Sequence, residues 1–308
     1  MSVSPEFSKD ALTGFRHKHD FLVGIDSDGT VFPTMEIKQK HCIHKLIVSH
    51  WQLEKIERCV RETAEFVNLH SRHRGQNRFR CLVLSMDLIR HRSKVNASGV
   101  KLPSFESLKK FVDSGSPLSN LELKKRVEKT NDAELASVLK WSEDVNAEIA
   151  KTVKNVAPFK RAVKALKLIN KHADAICVSQ TPTETLAREW RENGLIGCVK
   201  AIAGQELGSK TEHLRMVSEG HRYPAGNILM IGDALDDLRA VKSINGHFFS
   251  INPGSEEESW KLFSEEAFQK FLDGGYGGAY EKKLFKEFRR LLPDTPPWMA
   301  KTSRGAGD

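Results

Sequence analysis

Phe21-Leu22-Val23-Gly24-Ile25-Asp26-Ser27-Asp28-Gly29-Thr30-Val31-Phe32 is the stretch that decides how this chain is read. An apolar run ends abruptly in two carboxylates one residue apart, followed by Gly-Thr. Phe21 to Ile25 is short, apolar and bounded by a turn signal, which predicts a buried strand. A strand buried on both faces belongs in a parallel sheet. Ligands of open α/β sheets bind beyond the carboxyl ends of the strands, where Asp26 and Asp28 would stand. With Ser27 pointing away, the two acids share one side. Two carboxylates about 4 Å apart, at an effective dielectric of about 20, repel by about 4 kcal/mol. A site that keeps both ionised wants a cation, and hard oxygen ligands suit Mg²⁺. Gly29 permits a tight turn with backbone amides facing inward, where an anion could lie. An ordinary Asp-rich turn is the competing reading, since Asp and Gly are common turn formers.

Outward from this stretch the chain is an ordinary globular one. It has 308 residues, 39% hydrophobic and 29% charged, enough for two domains with a sizeable core. No apolar run approaches the ~20 residues of a membrane span. Met1 to Asp20 carries no apolar signal-peptide core, so a cytoplasmic location is expected. The cysteines, Cys42, Cys59, Cys81, Cys177 and Cys198, are odd in number and show no Cys-x-x-Cys spacing. They read as reduced thiols. The net charge of +8 is spread along the chain, which describes a solvated basic surface better than a nucleic-acid footprint.

From residue 35 to residue 153 the apolar spacing is helical throughout, with segments over Ile37–Ile47, Leu53–Leu69, Phe79–Ile89, Leu121–Val127 and Ala133–Val153. Pro103 is expected to open a further helix through Phe111. Four arginines fall within Arg72-His73-Arg74-Gly75-Gln76-Asn77-Arg78-Phe79-Arg80. Guanidinium forks suit carboxylate or phosphate, so Arg74, Asn77 and Arg78 are expected to bind a substrate beyond its reacting group. A solvated loop between helices is the alternative.

After this module strands alternate with helices, which implies a parallel, doubly wound sheet. Strands are expected at Ala173–Ser179, Gly197–Ala203, Asn227–Ile231 and His247–Ile251. Thr181-Pro182-Thr183-Glu184 reads as a helix start with Thr181 as its cap. Capping accounts for Thr181 but leaves Ser179, at the strand end, free beside a positive helix terminus. Lys210 opens a helix where the dipole prefers an acid, a local conflict of the kind functional sites show. Gly232-Asp233-Ala234-Leu235-Asp236-Asp237 places three more acids past a strand end. The helix dipole explains Asp236 and Asp237 better than Asp233.

In this order, Asp26-x-Asp28-Gly29-Thr30, Ser179, Lys210 and Gly232-Asp233 with Asp237 resemble the four motifs of the haloacid dehalogenase superfamily. The likeness covers roughly residues 21 to 34 and 155 to 252. It implies an α/β fold: a doubly wound, Rossmann-like core with an inserted all-helical cap. The core would comprise 1–34 and 154–252, the cap 35–153, and a C-terminal helical extension 253–308. It also implies roles. Asp26 would be the nucleophile and Asp28 the general acid and base. Asp26, the backbone carbonyl of Asp28 and Asp233 would hold Mg²⁺. Asp236 or Asp237 would support the metal. Gly29, Thr30, Ser179, Gln180 and Lys210 would hold the transferring phosphoryl group. The dehalogenases of the superfamily lack an acid at the position of Asp28, so phosphoryl transfer is expected.

The expected activity is therefore a Mg²⁺-dependent phosphatase acting on a small phosphorylated metabolite. A phosphomutase is the alternative on the same fold, and a nucleic-acid-binding protein on a non-catalytic core the alternative of another class. Neither membrane nor nucleic acid is an expected partner. Two amphipathic helices, Ser259–Leu272 and Tyr280–Leu292, are expected in the extension, followed by a frayed end over 301–308.

Overall fold

The computed structural model describes residues 9–300. They divide into two compact units. One comprises the described residues up to Met35 together with Lys154–Leu292. The other comprises Glu36–Val153 and the described residues from Pro293 onward. The expected frayed segment 301–308 lies outside the described residues. Among the described residues no helix is long and apolar enough to cross a membrane. The five cysteines are free thiols, four of them buried.

The first unit is built on a five-stranded, wholly parallel sheet: β1 (Leu22–Ile25), β2 (Asp174–Val178), β3 (Ile202–Ala203), β4 (Ile228–Gly232) and β5 (His247–Ser250). The spatial order is β3-β2-β1-β4-β5, which puts β1 at the centre. Leu22 sits opposite Asp174 on one side and Ile228 on the other. Every residue of β1 is buried, which is why it reads as a continuous apolar run and does not alternate. β3 is shorter than the expected Gly197–Ala203. It is an edge strand with one partner, and Ile196–Cys198 coils into a 3-10 turn. Its ladder nevertheless extends toward Lys200, whose amide donates to the Ala175 carbonyl at 2.7 Å.

Successive residues feed opposite faces of this sheet. Val23, Ile25, Cys177 and Ile231 pack with the helices Lys160–His172 and Thr183–Glu192. Leu22, Val178, Ile228 and Met230 pack with Lys210–His221 and Leu235–Lys242. A Cβ at Gly24 would lie 2.9 Å from both the Leu214 and the Met230 side chains, so a glycine is what lets that helix close on the sheet.

The residues after 252 divide between the units. Glu256–Leu262, a π-helical turn and Phe268–Leu272 follow one another without a break. They bury Trp260, Phe263, Phe268 and Phe271 on the first face of the sheet. The helix Ala279–Leu291 sends Phe288 to the second face. Its Glu281 carboxylate accepts the Phe248 amide at 2.7 Å, occupying a donor of the edge strand β5. From Pro293 the chain joins the helical unit, where the Trp298 ring meets Phe66 at 5.6 Å and lies 4.6 Å from the Arg92 guanidinium.

The helical unit contains no strand among the described residues. Its helices include Glu57–Leu69, Arg78–Arg90, Asn120–Thr130 and Ala133–Thr152, which bury Val67, Leu82, Leu123 and Trp141. The helix expected from Pro103 begins only at Glu106. Phe105 caps it in the left-handed region (φ 56°), its ring buried edge-on to Trp51, and the Pro103 carbonyl accepts from Arg90. Burial of the Phe105 ring and the Arg90 contact thus keep Pro103 in the preceding loop.

Candidate active site

The pairing of β1 continues one residue past the strand, since the Asp26 amide donates to the Ile231 carbonyl at 2.9 Å. The chain then doubles back on the Ser27 carbonyl, which accepts the amides of Thr30, Val31 and Phe32 at 3.3, 2.9 and 3.1 Å. Gly29 takes a φ of 77°, which a side chain would resist, and its amide donates to the Phe32 carbonyl at 2.8 Å. The amides of Gly29 and Thr30, expected to face a bound phosphoryl group, are thus engaged in closing the turn. Tight closure is also what presents the acids on either side of Ser27. The Ser27 hydroxyl turns away from them and accepts from Trp190 Nε1 at 3.1 Å.

Asp26 and Asp28 take different partners. Asp26 Oδ2 accepts from Lys210 Nζ at 2.7 Å, and Lys210 also donates to Asp237 Oδ1 at 2.6 Å. Asp26, Asp233 and Asp237 are all buried and can bring carboxylate oxygens within 4.8 Å of one another. Thr30 Oγ1 joins the group through Asp233 at 3.4 Å. Asp237 closes its helix start by accepting the Ala234 amide at 3.1 Å. A Cβ at Gly232 would come within 2.3 Å of the Asp237 carboxyl, so this acid reaches the cluster only past a glycine. Asp236, left equivalent to Asp237 by the sequence, is instead paired with Arg239 on its own helix. The conflict at the start of the Lys210 helix is resolved in the same way: its ammonium is drawn into the acid cluster.

Burial works against the charge of Lys210, but the carboxylates of Asp237 and Asp26 outweigh it and hold its pKa above the ordinary lysine value. Burial, with Asp26 and Asp233 adding to it and Lys210 opposing, pushes Asp237 upward. Three carboxyl groups gather around a single ammonium in a buried site, so acidic oxygens outnumber the cations there. That excess, on hard oxygen donors, is what a divalent cation such as Mg²⁺ neutralises. The donor set fits the ion.

The Asp28 carboxylate lies outside this cluster. Its Oδ1 accepts from Thr34 Oγ1 and its Oδ2 from Thr181 Oγ1 at 2.7 Å. Thr181 is therefore not the helix cap that its sequence context suggests. The helix begins at Thr183 with no side-chain cap, and the Thr183 amide donates to Glu206 at 2.9 Å. Ser179 is buried, and its hydroxyl accepts the Thr181 amide at 3.3 Å. Gln180 Nε2 reaches the Gly208 carbonyl at 3.2 Å, tying the loop after β2 to the loop before Lys210. No sequence signal separates the role of Thr181 from capping, because Asp28 lies 153 residues away.

In the helical unit the arginine-rich segment is ordered by its own unit. Arg74 is buried and donates to the Leu69 carbonyl at 3.0 Å. Asn77 caps the next helix by accepting the Phe79 amide at 2.9 Å, and its amide group donates to Leu118 at 2.7 Å. Arg78 Nη1 donates to the Ser142 carbonyl and hydroxyl at 3.1 and 3.2 Å and to Asn146 Oδ1 at 2.7 Å. A freely solvated loop is thereby replaced by a fixed one. These Arg78 contacts are all to neutral oxygens.

No family model matches the chain, and no curated protein matches it either. Solved structures do resemble it. A provisionally named phosphoglycolate phosphatase from Lactobacillus delbrueckii subsp. bulgaricus is similar with a TM-score of 0.51 and 13% identity, over 93% of this chain and 98% of its own. A provisionally named haloacid dehalogenase-like hydrolase from Bacteroides fragilis gives 0.48 and 12%, over 79% and 93%. A provisionally named β-phosphoglucomutase from Bacteroides vulgatus gives 0.45 and 13%, over 92% and 97%. Of these three only the first exceeds 0.5, and at such identities the likeness is one of fold.

Proposed function

We propose that this chain, which has the fold of the haloacid dehalogenase superfamily, is a Mg²⁺-dependent phosphatase of small phosphorylated metabolites. The observation that carries this reading is the buried group of Asp26, Asp233, Asp237 and Lys210 at the carboxyl edge of β1 and β4. A structural core has no use for three acids around one ammonium, since burying unbalanced charge is costly.

In the proposed reaction a carboxylate oxygen of Asp26 attacks phosphorus. The bond from phosphorus to the leaving oxygen breaks as the new one forms, and Asp28 gives that oxygen its proton. Asp28 then takes a proton from water as its oxygen attacks the phosphorus of the phosphoaspartate. Inorganic phosphate leaves and Asp26 is restored. Lys210 and Ser179 would hold the phosphoryl oxygens, with Gln180 fixing the loop that carries Ser179. Mg²⁺, when held by Asp26, Asp233 and the Asp28 carbonyl, would supply charge neutralisation at the phosphoryl group. Asp237 orients Lys210.

A screen of the purified protein over phosphosugars, nucleotides, phospholipid headgroups and phosphonates tests the reading. Phosphate release is expected with Mg²⁺, falling by roughly 10²-fold or more in EDTA and returning on Mg²⁺ addition. Full activity in EDTA would remove the metal from the proposal. Release of phosphate, as opposed to its return to product, separates hydrolysis from mutase chemistry.

Recognition beyond the phosphate is assigned to Arg78, with Asn77 and Arg74 ordering the segment around it. A guanidinium held through one nitrogen by three neutral oxygens is fixed within its unit without a carboxylate among those contacts. Arg78→Ala should raise KM for the natural substrate by about tenfold and leave a small generic phosphoester nearly unaffected. Equal kinetics for both substrates in that variant would reduce Arg78 to a tie between two helices.

A further inference from the structure

We infer that Trp260, in the extension beyond the last strand, is a positioning residue for the nucleophile loop. The inference rests on the phosphatase reading only for its kinetic consequence. The indole is fully buried and its Nε1 donates to the Thr30 carbonyl at 2.8 Å. The same peptide unit is held at its other end, where the Val31 amide donates to the Ser27 carbonyl at 2.9 Å. That peptide plane is clamped from both sides.

Thr30 itself connects the two halves of the site. Its amide reaches back to Ser27, between the two acids, and its hydroxyl reaches across to Asp233. An element outside every recognised motif therefore fixes the residue that joins the nucleophile loop to the acid cluster. Plain core packing does not explain this arrangement. The neighbouring rings of Phe263, Phe268 and Phe271 fill the same face with no polar atom, and Trp260 packs edge-on to Phe263 at 5.6 Å. A phenylalanine would serve for packing. The N–H is what the Thr30 carbonyl needs, because both groups lie where water cannot replace either. Trp190 holds the same loop from the opposite end through Ser27, so the loop is held by two indoles from two separate helices.

The test compares Trp260→Phe with Phe271→Leu, which perturbs the same aromatic cluster without touching the loop. Hydrogen exchange of the peptide spanning residues 26–32, thermal stability, kcat and KM are measured for both. In folded Trp260→Phe the loop amides should exchange about tenfold faster relative to the amides of the central strand, while Phe271→Leu leaves that ratio unchanged whatever its loss of stability. With a generic phosphoester, kcat should fall about tenfold and KM should stay within about twofold. An unchanged ratio of loop to strand exchange in folded Trp260→Phe overturns the inference, as does an equal rise of that ratio in Phe271→Leu. Should Trp260→Phe fail to fold, 3-benzothienylalanine at position 260 keeps the bicyclic shape and replaces N–H by sulfur, and the same outcomes apply. If the wild-type protein releases no phosphate from any ester, the phosphatase reading fails, and the exchange comparison still decides the brace.

Discussion

Asp26→Asn should lower phosphate release by roughly 10⁴-fold or more, the scale seen when a covalent nucleophile is removed. The amide has nearly the shape of the carboxylate but no nucleophilic oxygen. The change is also local. The Asn oxygen can still accept the Ser27 amide, which donates to Asp26 Oδ1 at 2.7 Å in the native loop. Its NH₂ group would then face the Lys210 ammonium, and Lys210 would keep only Asp237 as a charged partner. Some loss of stability is expected, offset by relief of the crowding among three buried acids. Circular dichroism and a melting curve should therefore show a folded protein. Acid-quenched wild-type enzyme should carry one phosphoryl group after mixing with substrate, and the variant none. Turnover near the wild-type value in folded Asp26→Asn would take the nucleophile role away from this residue.

Asp28→Asn should slow turnover by roughly 10²–10⁴-fold, the usual share of general acid–base catalysis. The geometry makes this a clean test. Both Asp28 oxygens accept threonine hydroxyls, from Thr34 and Thr181. Asn can accept from one and donate to the other, since a hydroxyl both gives and takes a hydrogen bond. The side chain should keep its place and lose only its proton chemistry. Substrates with good leaving groups, such as p-nitrophenyl phosphate, need little protonation of the departing oxygen and should lose less than alkyl phosphates. Equal losses for both classes would mean that Asp28 holds the loop and does not move the proton.

The sequence by itself determined the central strand, the turn after it and the order of acids and lysine along the chain. These are legible because they are local. A buried strand must be an apolar run, a turn at positive φ favours glycine, and a lysine at a helix start contradicts the dipole and so stands out. Much of what completes the site is not local, and only the tertiary structure decided it. Asp236 and Asp237 are adjacent and chemically identical, and the choice fell to the one that passes close to Gly232. Thr181 looks like a cap until the fold brings it to Asp28. Arg74 and Arg78 read equally as substrate ligands or as a solvated loop until the helical unit supplies carbonyl and amide oxygens to them. Trp260 looks like one more aromatic of an amphipathic helix until its N–H meets Thr30, 230 residues away. The physical reason is the same in each case. Backbone preference and apolar period act over a few residues, whereas the partner of a buried polar group is set by which elements the sheet brings together.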